Sequence, residues 1–183
     1  MVNKVKKLLI ILIMLFAVGC ETDLTNTPTK QVEMFLGKYQ TLDKEMLKKL
    51  EDNLDDDITL TVDQRDKYLD LWKKHYQGLV YTIKDETING DEAIVTTEVE
   101  INDYTKVISD SNKYLTSNPQ QFNDEFGEYD ISRFNDYKLE ELLKSKERVK
   151  YTFEFKVKKN DKKWKLAELS EEDYSKLTGM YEY

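Results

Sequence analysis

Cysteine is almost missing from this 183-residue chain, where Cys20 stands alone. A single thiol cannot close an intrachain disulfide, so an exported chain of this composition must rely on its apolar core. Histidine is equally scarce. His75 is the sole one, and without His or Cys companions it cannot build a zinc site. Two Pro and six Gly leave no room for a long flexible linker. The longest apolar run, Leu8 to Gly19, is 12 residues, whereas a membrane-spanning helix needs roughly 20. Positive charge is in deficit, with 28 Lys and Arg against 36 Asp and Glu and a net charge of -8. That balance disfavours nucleic acid and argues against polybasic docking on anionic lipid.

What is present begins with Lys4, Lys6 and Lys7, then the apolar run, then Cys20. A basic start, a short apolar block and small residues before a cut make a secretory signal. Ending on Ala17-Val18-Gly19-Cys20, the segment resembles the lipobox of bacterial lipoproteins, with Ala17 in the place where that family favours leucine. The resemblance implies cleavage by signal peptidase II between Gly19 and Cys20 and a diacylglyceryl group on the Cys20 sulfur, with palmitate-type acylation. Two acyl chains hold a protein stably where one does so only marginally. Losing residues 1–19, which carry three lysines and no acid, takes the net charge from -8 to -11 and leaves 164 residues. That is enough for one domain with a real core. Twelve Tyr, seven Phe and two Trp set it apart from charged disordered chains.

Residues 20–27 read as a polar, lipidated tether. Thr27-Pro28 is an N-cap followed by proline at the first helical position. Val32, Phe35, Leu36, Tyr39, Leu42, Met46, Leu47, Leu50 and Leu54 then recur with helical spacing, with a kink or break near Thr41-Leu42-Asp43. Thr61 to Gln64 is a capping box opening a helix that carries Tyr68, Leu69, Trp72 and Tyr76. After Gly78 the period changes to two. Leu79, Tyr81 and Ile83, a turn at Asn89-Gly90-Asp91, and Ala93 to Ile101 predict a hairpin with one buried face. Val149 to Val157, a turn at Asn160-Asp161, and Trp164 to Leu169 predict a second, followed by a short helix capped by Ser170. Between the hairpins, residues 104–147 form an insertion. It holds a helix ending before Asn118-Pro119, aromatics embedded among acids from Phe122 to Tyr137, and a short helix around Leu139, Leu142 and Leu143. An insertion this long predicts a functional or mobile segment, and 118–137 is the stretch expected to open most easily.

Val32-Glu33-Met34-Phe35-Leu36, Tyr81-Thr82-Ile83 with Asn89-Gly90-Asp91-Glu92-Ala93, and Trp164 to Leu169 resemble an NTF2-like domain, as in small lipoproteins of low-GC Gram-positive bacteria. The resemblance implies an α+β fold over residues 28–183 as a single domain. Its N-terminal helices would pack on a curved antiparallel sheet of about four strands, closed into a cone that often holds a pocket, with the helical insertion between the two hairpins. Trp72, Tyr76, Tyr81, Asp103 and Trp164 are the candidate pocket lining.

The resulting expectation is a membrane-anchored lipoprotein of the extracytoplasmic face, acting as a non-catalytic binding or interaction module of the cell envelope. Its partners would be the membrane through its lipid and a protein or small-molecule ligand, with no nucleic acid, cofactor or metal. The alternative is an NTF2-like enzyme doing acid–base chemistry in the cone with Asp103 and His75, which must converge on one substrate atom. Against it, His75 near a helix C-terminus reads as a cation meeting the dipole, and Asp103 as a turn residue ending a strand. Asp55-Asp56-Asp57 lacks calcium-loop spacing and reads as a solvated helix end. Lys150, Lys156 and Lys158, with Lys159, Lys162, Lys163 and Lys165 nearby, read as a solvated sheet face or a contact for anionic envelope polymer.

Overall fold

The computed structural model describes residues 26–181. The segment read as a signal peptide, Cys20 and the first part of the expected tether lie outside the described residues. Helix α1 (Pro28–Thr41) starts where the sequence places it, with the Thr27 hydroxyl accepting from Lys30 N and Pro28 in the first turn. Val32, Leu36 and Tyr39 form its buried stripe. The helix stops because Leu42 turns left-handed at φ 48°, and Asp43 at once caps α2 (Lys44–Asp55) by accepting from Met46 N. The expected break is therefore a two-helix corner. Helix α3 (Val62–Gln77) opens on the full capping box of Thr61 and Gln64.

Four strands follow in a meander, β1 (Val80–Asn89), β2 (Glu92–Asn102), β3 (Arg148–Asn160) and β4 (Lys163–Leu166), in the spatial order β1-β2-β3-β4 with all neighbours antiparallel. The fold is thus α+β, with the N-terminal helices on one face of the sheet and the insertion between β2 and β3. Alternation sets the two faces. Ala93, Val95, Val99 and Ile101 pair across to Val157, Phe155, Tyr151 and Val149 on the covered side. Val32 and Leu36 of α1 complete this core. A bulge between Ile83 and Asp85 shifts β1 by one residue and brings Glu86 opposite Val95, on the covered side. There its carboxylate accepts from Thr29 N at 2.8 Å and Thr29 Oγ1 at 2.6 Å, capping α1 from the sheet edge.

The insertion contains α4 (Thr105–Ser117), a 3-10 turn (Pro119–Phe122) and α5 (Ile131–Lys144). Helix α5 is longer than the short helix expected around Leu139, because Asp130 caps it at Ser132 N and Phe134, Asn135, Leu139 and Leu142 share its buried face. The acids that made 131–137 look like loop lie on its other faces. A second apolar cluster of Leu60, Tyr68, Leu71, Tyr104, Leu139 and Leu142 joins α3, α4 and α5. The described residues close with α6 (Glu171–Leu177), capped by Ser170, and a strap running to Tyr181. Strand β4 stops at Leu166, short of the expected Leu169. The tether is also shorter than read, since the Asn26 side chain accepts from Trp164 N at 2.6 Å.

Candidate functional site

The residues proposed as pocket lining come from four parts of the fold: α3, β1, β4 and the turn between β2 and α4. Trp72 and Tyr76 lie one turn apart on α3, ring centroids 6.2 Å apart, and both join the main core. Tyr81 and Trp164 stand on the two edge strands, with β2 and β3 between them. Trp164 is buried, with the Lys159 ammonium over its ring. Asp103 is the turn residue of the plainer reading. Its carboxylate accepts from Thr105 N at 3.0 Å to start α4, and its backbone N–H donates to Glu147 O. Gly19 and Cys20 lie outside the described residues.

His75 corrects the expectation of a cation meeting the helix dipole. It is wholly buried, packed edge-on against Trp72 and Tyr76 and tilted against Tyr104. Its Nε2 donates to Leu177 O at 3.2 Å, which fixes the tautomer and leaves Nδ1 without a partner. Burial pushes its pKa down from 6.5 to about 4, helped by the charge of Arg148 and opposed by the Leu177 bond. His75 and Asp103 each bond elsewhere and not to one another. The pair offered for acid–base work is therefore not assembled. A signal for the burial was present, since Gln64, Tyr68, Leu71 and His75 follow helical spacing on one stripe of α3.

Two cavities meet at Tyr174 of α6. One of about 570 Å³ runs between α1 and α6, lined by Phe35, Tyr39, Leu169 and Tyr174 with Glu168 and Glu171 at its mouth. A smaller one of about 180 Å³ shares Tyr39 and Tyr174, extends to Met46 and Leu50, and is lined as well by Tyr76, one of the residues proposed as pocket lining. Burial raises the Tyr39 hydroxyl far above the ordinary tyrosine range, so it stays protonated and neutral.

The insertion presents a different kind of surface. Tyr114, Phe122, Phe134 and Tyr137 pack on one another, with centroids 5.0 to 6.1 Å apart, and bury most of the aromatics that the acids surround. Beyond them the chain makes a tight loop. Asp124 N donates to Glu128 O at 2.8 Å, Asp130 N donates to Phe122 O at 2.7 Å, and Asn123 bridges Tyr129. The Asp124 carboxylate accepts from Phe126 N at 2.8 Å and Glu128 N at 2.9 Å. Gly127 takes the φ of +83° that such a turn demands. On this fixed loop Phe126 is 82% exposed, with Tyr129 and Ile131 half out beside it. The segment expected to open most easily is thus internally bonded, with Phe122 and Phe134 as its own small core.

Among the described residues no helix is long and apolar enough to cross a membrane, and no group of three or more His, Cys, Asp and Glu side chains is placed to hold a metal ion. No family model matches the sequence, and no curated protein matches it. Among solved structures, a candidate lipoprotein of Bacillus subtilis, YcdA, is similar at 20% identity and a TM-score of 0.41. The match covers 66% of this chain and 38% of that one, so this chain spans well under half of that structure.

Proposed function

We propose that this chain is a lipoprotein held through Cys20 on the extracytoplasmic face of a membrane, and that its NTF2-like α+β domain is a non-catalytic module that recognises a protein partner with the tip of its insertion. The observation that carries the reading is Phe126, a large apolar side chain kept in solvent by a hydrogen-bonded loop. Leaving that ring in water forgoes about 1.5–3 kcal/mol of burial, a cost that a partner's surface would recover. Asp124, Glu125, Glu128 and Asp130 surround it, so the complementary surface is an apolar pocket with a basic rim. The internal engagement of His75 and Asp103 supports binding over acid–base catalysis.

The test compares oxidative footprints of the protein in native membranes and after purification in detergent. Phe126 and Tyr129 are expected to be protected in membranes and reactive once purified, with Tyr174 as the internal reference. Equal reactivity in both states overturns the recognition role. The anchor is tested separately by metabolic labelling with a fatty-acid probe, which should mark the wild type and spare Cys20→Ser. Equal labelling of both would remove the lipid.

A further inference from the structure

The chain is acidic overall, yet its charge is sorted by position. Between Lys156 and Lys165 six lysines face the single acid Asp161. The register puts Lys158 beside Lys165 and Asn160 beside Lys163, and Lys156 lies opposite Ile94. Lys156, Lys158, Lys163 and Lys165 therefore share the uncovered face at one corner of the sheet, with Lys162 in the turn. Lys158 is paired with Glu92 at 3.0 Å, while Lys156, Lys162, Lys163 and Lys165 make no ion pair with any described residue. All of them are exposed. A cluster of like charges that the fold leaves unneutralised is a surface waiting for anions.

The second observation says which anions. Asn26 is fastened to Trp164, between Lys163 and Lys165, by the bond from Trp164 N. Cys20 is six residues upstream of Asn26, a distance that an extended chain covers in about 20 Å at most. If the sulfur of Cys20 carries the lipid, the basic corner is the part of the sheet tied closest to the bilayer. Glu21 and Asp23 in the tether, Asp91 and Glu92 at the adjoining turn, and Glu154 and Glu168 beside Lys156 lower its net charge, but among the described residues none forms an ion pair with Lys156, Lys162, Lys163 or Lys165. The acidic tip is remote. Strand β3 runs 13 residues from Arg148, beside Asn102, to the lysine turn, about 40 Å of sheet, and the insertion leaves from its opposite end.

Resting on the proposed acylation of Cys20, we propose that the β3–β4 corner is a membrane-docking face. Lys156, Lys162, Lys163 and Lys165 would lie on anionic phospholipid headgroups of the same bilayer that holds the lipid, and the Phe126 tip would be directed away from it. The negative net charge that argues against lipid docking is a whole-chain average. Within residues 156–165 lysines outnumber acids six to one. Each lysine close to an anionic surface contributes a factor of about five in binding, and the pull fades within roughly 8–10 Å at ordinary ionic strength. The lysines thus act on a domain the lipid already confines, setting its orientation.

The protein extracted from membranes with its lipid is reconstituted into vesicles of phosphatidylcholine alone or of equal phosphatidylcholine and phosphatidylglycerol. The rate at which a water-soluble amine reagent acylates each lysine is then read by mass spectrometry. The expected result is a slowing of about ten-fold or more at Lys162, Lys163 and Lys165 in the anionic vesicles, reversed by high salt, with Lys113 and Lys144 unchanged. Lys163→Gln/Lys165→Gln, which touches only exposed side chains, should lose the protection at Lys162. Equal rates in the two vesicles with the protein anchored in both would overturn the docking face. Protection by soluble polyphosphate on neutral vesicles, without any by phosphatidylglycerol, would overturn it in favour of an envelope polymer. A protein that floats with neither vesicle indicts the acylation of Cys20 instead, so the two failures are told apart.

Discussion

Residue chemistry in this protein is most exposed to test at His75. Its neutral ring is held by Leu177 O, the rings of Trp72, Tyr76 and Tyr104, and the low polarity around them. An unfolded chain protonates this histidine near 6.5, whereas the folded chain resists until about 4. Below 6.5 the unfolded state therefore binds the extra proton, and stability falls with pH until the folded ring also charges. The full difference is roughly 3 kcal/mol, present above pH 6.5 and gone near pH 4. Urea midpoints measured across that window should drop steeply for the wild type. They should drop much less for His75→Gln, whose amide can still donate to Leu177 O. A flat wild-type profile would show that water reaches the ring.

At the scale of elements, the turn joining β3 to β4 is built against its own sequence. Asp161 and Lys162 both take positive φ, 50° and 65°, the pattern of a two-residue hairpin that favours Asn-Gly. Holding a lysine there costs about 1 kcal/mol. Lys162→Gly should therefore raise stability by about that much, read as a higher urea midpoint with unchanged slope. A loss would mean that the Lys162 side chain makes a contact worth more than the strain. The strands on either side were legible in the sequence, because Val149 to Val157 and Ala93 to Ile101 alternate without interruption and only one face is covered. Helix α1 was legible from Thr27-Pro28 and its apolar stripe. The start of α5 was not. Phe134 and Tyr137 sit among Asp130, Asp136, Glu140 and Glu141, and charge density masks helical spacing when the buried face is narrow. The bulge after Ile83 was hidden for another reason. Nothing local to β1 announces that Glu86 will cap a helix 57 residues earlier in the chain.

The whole molecule is two packed clusters tied together by its C-terminal strap, and this arrangement was invisible in sequence because every tie joins distant residues. Leu177 O accepts from His75 on α3, Gly179 O accepts from Tyr104 N, and Tyr181 O accepts from Thr105 Oγ1. The same holds for the contact of Asn26 with Trp164, 138 residues apart, on which the proposed membrane docking rests. Gly179 sits at a close approach of the strap to the end of β2. Its φ is +69°, and a Cβ there would collide with Asn102 O and press on the His75 ring. Gly179→Ala must therefore displace the strap from the end of β2, at a cost of roughly 1 kcal/mol for the backbone alone and more for the collision. Leu177 and Tyr181 pack on the sheet core, Tyr181 edge-on to Tyr151 at 5.9 Å, but the β2–β3 ladder is closed strand to strand, whereas α4 begins on the strap through Tyr104 N and Thr105 Oγ1. Hydrogen exchange of the variant should thus speed up across α4 and α5 while β2 and β3 keep their protection, because the insertion would then open as its own unit. Uniform loss of protection in both clusters would show instead that insertion and sheet unfold together, and that the tip bearing Phe126 is as rigidly coupled to the lysine-rich corner as the sheet itself.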